Sequence, residues 1–112
     1  MPMSTTIARG NVGFEAVLQV SITPPSPLAA NSTQETTYTV PGILVGDFLE
    51  INKPSHLTGL SIGNIRASAV NQIAIQWVNS TTSQIVSAPN EAYLIAVTRF
   101  DSLPQTAPAA IA

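Results

Sequence analysis

The chain has 112 residues, of which only 9% are charged, and a formal net charge of −2. Its four basic residues are scattered, which excludes the positive patch that nucleic-acid binding requires. The absence of cysteine excludes disulfides and thiolate metal sites. No window approaches the length of about eighteen apolar residues typical of a membrane helix, and the N-terminus lacks a signal-peptide pattern. We therefore expect no membrane segment and a soluble, unprocessed product.

The composition favours β-strands, because thirty-two residues are Ile, Val or Thr. The first predicted strand is 14–22, where strict alternation places four apolar side chains on one face: Ala16, Leu18, Val20 and Ile22. Prolines 24, 25 and 27 end this strand, since each removes a backbone donor. A loop is predicted from there to about Gln34.

Further strand character follows along the chain at 36–40, 48–52, 65–70, 72–78, 84–87 and 92–100. Turn residues at Pro41-Gly42 and Gly46-Asp47 separate the first two of these segments. Segment 55–63 contains two glycines and is predicted to be a loop or a short strand.

The stretch between Ala67 and Asn90 runs for twenty-four residues without a charged side chain. Monomeric β-proteins normally guard their strand edges with charges, proline or bulges. We interpret this stretch as strand surface that neighbouring subunits cover. It predicts a closed homo-oligomer, with a trimer preferred and a dimer second.

Six to eight strands and no helix-period window predict an all-β fold, an antiparallel two-sheet sandwich of jelly-roll or immunoglobulin-like kind. The whole chain, 1–112, is predicted to be one such domain with extended N- and C-terminal arms at 1–12 and 101–112. The C-terminal arm is rich in Ala and Pro, a composition typical of extended chain.

The sequence contains one match to a catalytic motif. The segment Gly59–Gly63 matches the G-x-S-x-G nucleophile elbow, with Ser61 as the nucleophile. However, no helix pattern follows it, and the only histidine, His56, precedes the serine. A glycine-flanked loop or strand is the preferred interpretation, and His56 alone, without a second ligand, indicates a solvated or interface residue.

The other candidate side chains also favour structural roles. Asp47 and Glu50 are three positions apart on an extended segment, which places them on opposite faces and disfavours a glycosidase pair. Asp47 is expected to organise its own turn. A sugar-binding platform would need exposed aromatic rings, but Trp77 alternates with apolar residues and is expected in a core or subunit interface. The candidates for such a platform are Phe14, Tyr38, Trp77 and Tyr93. No catalytic, cofactor-binding or metal site is predicted.

Three segments carry a resemblance to known proteins: TVPGILVGDFLEINKP at 39–54, GLSIGNIRASAVNQIAI at 59–75 and EAYLIAVTR at 91–99. In this pattern, which covers roughly residues 37–99, the chain resembles small structural proteins of short-tailed bacteriophages. These are capsid decoration, or cement, proteins.

The resemblance implies a non-enzymatic virion protein that binds the outer capsid surface as a small symmetric oligomer and clamps neighbouring capsomers. Its partner would be the major capsid protein. Two other hypotheses remain at this stage: a glycan- or receptor-binding module of a phage tail or virion surface, with Trp77 and Tyr93 exposed, and a small esterase that acts through Ser61.

Overall fold

The structure is a computed structural model that describes residues 12–101. This part of the chain contains no helix, and its six strands are β1 (Val12–Ile22), β2 (Ser32–Thr39), β3 (Phe48–Asn52), β4 (Leu60–Ala69), β5 (Gln72–Asn79) and β6 (Glu91–Phe100). The predicted all-β class is confirmed.

The strands form two antiparallel three-stranded sheets, with the orders β1-β6-β3 and β2-β5-β4. The central strands are therefore β6 and β5. The two sheets approach each other most closely along β3 and β4. Inward-facing side chains of both sheets share one core, so the predicted two-sheet sandwich is confirmed.

The predicted strand bounds are close for four of the segments, and β3 matches in full. The predicted strand 84–87 is wrong, because only Ile85 forms a bridge, with Leu28. β2 begins four residues earlier than predicted, at Ser32, since its polar first half shows no apolar alternation. Segment 55–63 was predicted to be a loop or a short strand. Residues 55–59 are loop, and from Leu60 onward the segment belongs to β4.

The core is centred on β5 and β6. Ile73, Ile75 and Trp77 are fully buried, which confirms the predicted shared face, and Tyr93 is fully buried opposite them. The Trp77 and Tyr93 rings meet edge to face, with centroids 6.1 Å apart. The Trp77 Nε1–H group donates to the Tyr38 hydroxyl at 3.2 Å, which satisfies the one polar atom of the buried indole.

Asn79, at the end of β5, holds two long loops together although its side chain is almost fully buried. Its Nδ2 group donates to the carbonyls of Leu28 and Ala29, each at 3.1 Å, and of Ser83 at 2.9 Å. Its Oδ1 accepts from the Thr81 N–H group at 2.9 Å and from the Thr81 hydroxyl at 2.7 Å. A single amide thus satisfies the backbone of both loops.

Both ends of the described chain lie at the same end of the sandwich, because Val12 of β1 pairs with Phe100 of β6. The β4–β5 turn is at this end too, where the Asn71 N–H group donates to the Ile43 carbonyl at 2.8 Å. Most of the predicted arms, residues 1–11 and 102–112, lie outside the described residues. Val12, assigned to the N-terminal arm by the sequence, is the first residue of β1.

Charged side chains mark the edge strands of both sheets. Each edge strand carries one within its bounds: Glu15 in β1, Glu35 in β2, Glu50 in β3 and Arg66 in β4. The uncharged stretch 67–90 contains the central strand β5, which is paired on both sides. β5 therefore has no free edge, and coverage of the stretch by neighbouring subunits stays a prediction. The edges are guarded by charge in the usual way.

Candidate docking surface

The nucleophile-elbow motif lies at the start of β4, where Gly63 falls at a register irregularity. Ser61 lies in β4 and pairs with Val78 of β5, so the segment does not form a strand-to-helix turn. His56 is an exposed residue of the loop between β3 and β4. Gly59 has φ of +83°, and a Cβ atom there would collide with the Thr81 methyl group, so the turn and its close packing require glycine.

Asp47 organises its own turn, as predicted, by accepting from the Leu44 N–H group at 2.9 Å. The structure also gives it a partner that the sequence did not suggest. Arg99 Nε and Nη2 donate to the two carboxylate oxygens at 2.8 Å each, and Nη2 donates to the Gly42 carbonyl. Hydrogen bonds from Arg99 lower the pKa of Asp47, whose desolvation acts in the opposite direction. Glu50 instead faces outward from β3.

A second ionic cluster joins the end of β3 to the start of β6. Lys53 Nζ donates to Glu91 Oε1 at 3.0 Å and to the carbonyl and hydroxyl of Ser55 at 2.9 Å each. The Ser55 hydroxyl donates to Glu91 Oε2, and this bond, followed by that from Lys53, lowers the pKa of Glu91. All three ammonium hydrogens of Lys53 have acceptors, which indicates that this cluster has a structural role and links β3 to β6.

The candidate aromatic platform is not present on the surface. Trp77 and Tyr93 are fully buried, and Tyr38 is half-buried with its hydroxyl donated to the Thr23 carbonyl at 2.8 Å. Phe14 is partly exposed, but its ring lies under the Arg99 guanidinium, 5.0 Å from the ring centroid. A sugar therefore cannot stack on Trp77 or Tyr93 in this fold.

We expect the intrinsic fluorescence of the folded protein to be blue-shifted and poorly quenched by acrylamide, because Trp77 is the only tryptophan and has no exposed surface. Titration with mono- and oligosaccharides should leave the spectrum unchanged. The denatured protein provides the red-shifted, fully quenched reference. An emission maximum close to that reference in native buffer would contradict the buried position.

The outer face of the β2-β5-β4 sheet is polar. Glu35 and Arg66, on the two edge strands, form a two-pronged ion pair at 2.8 and 2.9 Å across the central strand. Beneath this bridge lies Ala74, which is fully buried although it points outward. Most of the rest of this face consists of hydroxyl and amide side chains, with Val78 and Ala69 among them. The polar ones include Thr33, Thr37, Ser61, Asn64, Gln72 and Gln76.

The outer face of the β1-β6-β3 sheet is different, and we call it the apolar face. The strand register brings Val17, Ala96 and Glu50 into one row, with Leu94 in the next row and Phe48 in the row on the other side. The exposed fractions are 67% for Val17, 53% for Phe48 and 46% for Leu94. A shallow depression of about 340 Å³ lies among these side chains.

The charges on the apolar face have one sign. Its strands place Glu15 and Glu50 outward. The basic side chains nearby are paired elsewhere: Arg99 of β6 with Asp47, and Lys53, which follows β3, with Glu91. An exposed apolar area of this kind, bordered by polar groups, is typical of an interaction site. It is the candidate docking surface of the molecule.

No family model, curated protein or solved structure matches this chain. Within residues 12–101 no group of three or more His, Cys, Asp or Glu side chains is arranged to hold a metal ion. In the same part of the chain no helix is long and apolar enough to cross a membrane.

Proposed function

We propose that this chain is a non-enzymatic capsid decoration protein, which binds the outer surface of a phage capsid and stabilises contacts between capsomers. The observation that carries the proposal is the apolar face, a flat and exposed surface on a sandwich whose other sheet is covered by polar groups. The resemblance of residues 37–99 to cement proteins supplies the biological setting.

The chemistry of the apolar face favours a broad, neutral partner surface. Val17, Phe48 and Leu94 supply apolar area that water leaves on contact, and Glu15 and Glu50 disfavour an acidic partner. A single face of this size gives modest affinity. A shell that offers many equivalent positions to a multivalent protein raises the overall affinity without any new kind of contact. The partner in this proposal is the major capsid protein.

Multivalency requires more than one copy in the bound unit, so the proposal includes a closed homo-oligomer, a trimer or else a dimer. Static light scattering at micromolar concentration tests this part. A mass of one chain throughout the concentration series would contradict it, and the capsid proposal would then depend on the apolar face alone.

For the shell contact, we expect Leu94→Glu to lower binding to shells at least about tenfold, because it adds a charge that docking must desolvate. Leu94 is half exposed in the free protein, so the fold can accept the change. Binding would be measured by co-sedimentation with undecorated capsid shells of the virus that encodes the chain.

The matched control is Thr37→Glu, which places the same charge on the polar outer face of the other sheet. We expect this variant to bind as the unchanged protein does. Equal losses for both variants would show that added charge alone weakens binding. Normal binding of the Leu94 variant would remove the apolar face from the shell contact, and a change in its oligomer mass would reassign the face to contacts between subunits.

A further inference from the structure

Within residues 12–101, one long side of the sandwich is open. β1 pairs with β6 on one side only, and among the described residues no strand pairs with its other side. Its inward side chains Ala16, Leu18 and Val20 are only half-buried, because the sheets close along β3 and β4 on the opposite side. A groove of about 280 Å³ runs beside β1. It is lined by Phe14, Ala16, Leu18, Pro41, Gly42, Ile43, Val97 and Arg99.

The C-terminal sequence has a pattern that suits such an edge. Pro104 and Pro108 are four positions apart, so in an extended strand both would direct their missing N–H groups to the same side. The opposite side would then present an uninterrupted set of donors and acceptors from the odd-numbered residues. Those residues are Leu103, Gln105, Ala107, Ala109 and Ile111.

The same alternation makes the tail amphipathic. Four of the five odd-numbered side chains are apolar, and in a strand they share one face. The groove beside β1 is small, and its lining is apolar apart from Arg99, which is paired with Asp47. Such a groove suits alanine with occasional larger aliphatic side chains. The odd-numbered residues would thus form the backbone hydrogen bonds to β1 and also bury their side chains in the groove.

We propose that residues 103–111 of a neighbouring copy add as a fourth strand to the open edge of β1 and place their odd-numbered side chains in the groove. This is strand addition, in which main-chain hydrogen bonds supply affinity and alternate side chains supply specificity. The proposal rests on the homo-oligomer proposed above, but it does not require the capsid. It gives the subunits a defined link that leaves the apolar face free.

The geometry of the chain favours a neighbouring copy over the tail's own subunit. Phe100 pairs with Val12, so the tail of the same chain would have to cross β1 to reach its free edge. That crossing covers two strand spacings, about 9.5 Å. Asp101 already lies against Gly13 of β1, so one strand spacing, about 4.8 Å, remains to be crossed. The two steps from Asp101 to Leu103 span about 7 Å when fully extended, and a reversal of direction does not fit in the difference.

Two proline substitutions test the backbone pattern in the full chain. Ala107→Pro removes a backbone N–H group from the side of the tail that would face β1. Ala110→Pro removes one from the opposite side, where Pro104 and Pro108 already lack theirs. Both leave an extended tail allowed. We expect Ala107→Pro to accelerate amide exchange of the outward-facing β1 groups about tenfold and to lower the melting temperature of the oligomer. Ala110→Pro should change neither. Equal effects of the two variants would overturn the proposal.

Paired cysteines test the source of the strand, since the chain has no cysteine of its own. Ala16→Cys combined with Ala107→Cys, or with Ala109→Cys, should yield covalent dimers with a short bismaleimide on a denaturing gel. Ala16→Cys with Ala110→Cys should not, because residue 110 faces away from the groove.

The products of this cross-linking decide the proposal. A band that migrates as a single, internally linked chain would show that the tail docks on its own subunit and would overturn the exchange between copies. The absence of cross-links from both odd positions would overturn docking in the groove. Neither readout uses capsid shells, so either failure is distinct from a failure to bind the shell.

Discussion

Replacing Asn79 with alanine is expected to lower the free energy of unfolding by about 3 kcal/mol or more. The change removes five hydrogen bonds that join two loops. It leaves the Thr81 N–H group without an acceptor, whereas the carbonyls of Leu28, Ala29 and Ser83 each keep one other donor. This cost is a large share of the roughly 5 to 15 kcal/mol that stabilises a typical domain. Urea denaturation followed by circular dichroism measures it.

Two further variants locate the origin of this loss. Asn64→Ala removes an exposed amide from β4 and should change the unfolding free energy by no more than about 0.5 kcal/mol. Asn79→Asp keeps the acceptor for Thr81 but turns a carboxylate toward the carbonyls of Leu28, Ala29 and Ser83. It should be at least as unstable as Asn79→Ala. A stable Asp variant would show that these carbonyls do not depend on the amide.

Asp47→Asn is expected to cost roughly 1 to 2 kcal/mol at neutral pH, because an amide cannot accept both guanidinium bonds and the Leu44 N–H bond. This cost is at the lower end of the range for hydrogen bonds to charged groups, because Arg99 is partly exposed to water. The folded-state pKa of Asp47 is depressed, so its contribution to stability is present above the unfolded value of about 3.9 and is lost as the pH falls through the folded value. The variant should therefore lose less stability than the unchanged protein between about pH 5 and pH 2.

Glu35→Gln is the matched control, since Glu35 and Arg66 form the same two-pronged ion pair in full contact with water. Its effect at neutral pH should be the smaller of the two, because exposed pairs contribute little. Both would be measured as denaturant midpoints from pH 2 to pH 8. Equal effects at both sites would mean that burial of Asp47 adds nothing to its pairing.

Much of the fold could be predicted because it depends on local alternation. β1 alternates between apolar and mostly polar side chains, whereas β6 contains a continuous apolar run at 92–97. In both strands the side chains that become most buried are those of one parity. β2 was recognised only in part because half of it is polar, and its place in the sheet comes from pairing with β5.

The ionic clusters could not be predicted for a related reason. Asp47 and Arg99 are fifty-two positions apart, and their meeting depends on the register of β3 against β6. The same holds for Lys53 and Glu91. Charge content and spacing in the sequence carry no information about such pairs until the strand order is known.

The uncharged stretch 67–90 shows how one signal can have two causes. Absence of charge is typical of a surface covered by another molecule and also of a central strand covered by its own sheet. The structure assigns β5 to the second cause through its pairing with β2 and β4. The candidate docking surface is formed instead by the outward-facing side chains of β1, β6 and β3. Alternation in the sequence divides the side chains of a strand between two faces, but it does not tell which face is the inner one.

The pairing of Val12 with Phe100 has a mechanical consequence. Because the two chain ends emerge side by side from neighbouring strands, a pull that separates them acts on the β1–β6 ladder at its first pair. Hydrogen bonds would then break one after another, as in a zipper, instead of all together as they do when strands slide. A subunit under tension is therefore better loaded through its broad faces, where many contacts share the force.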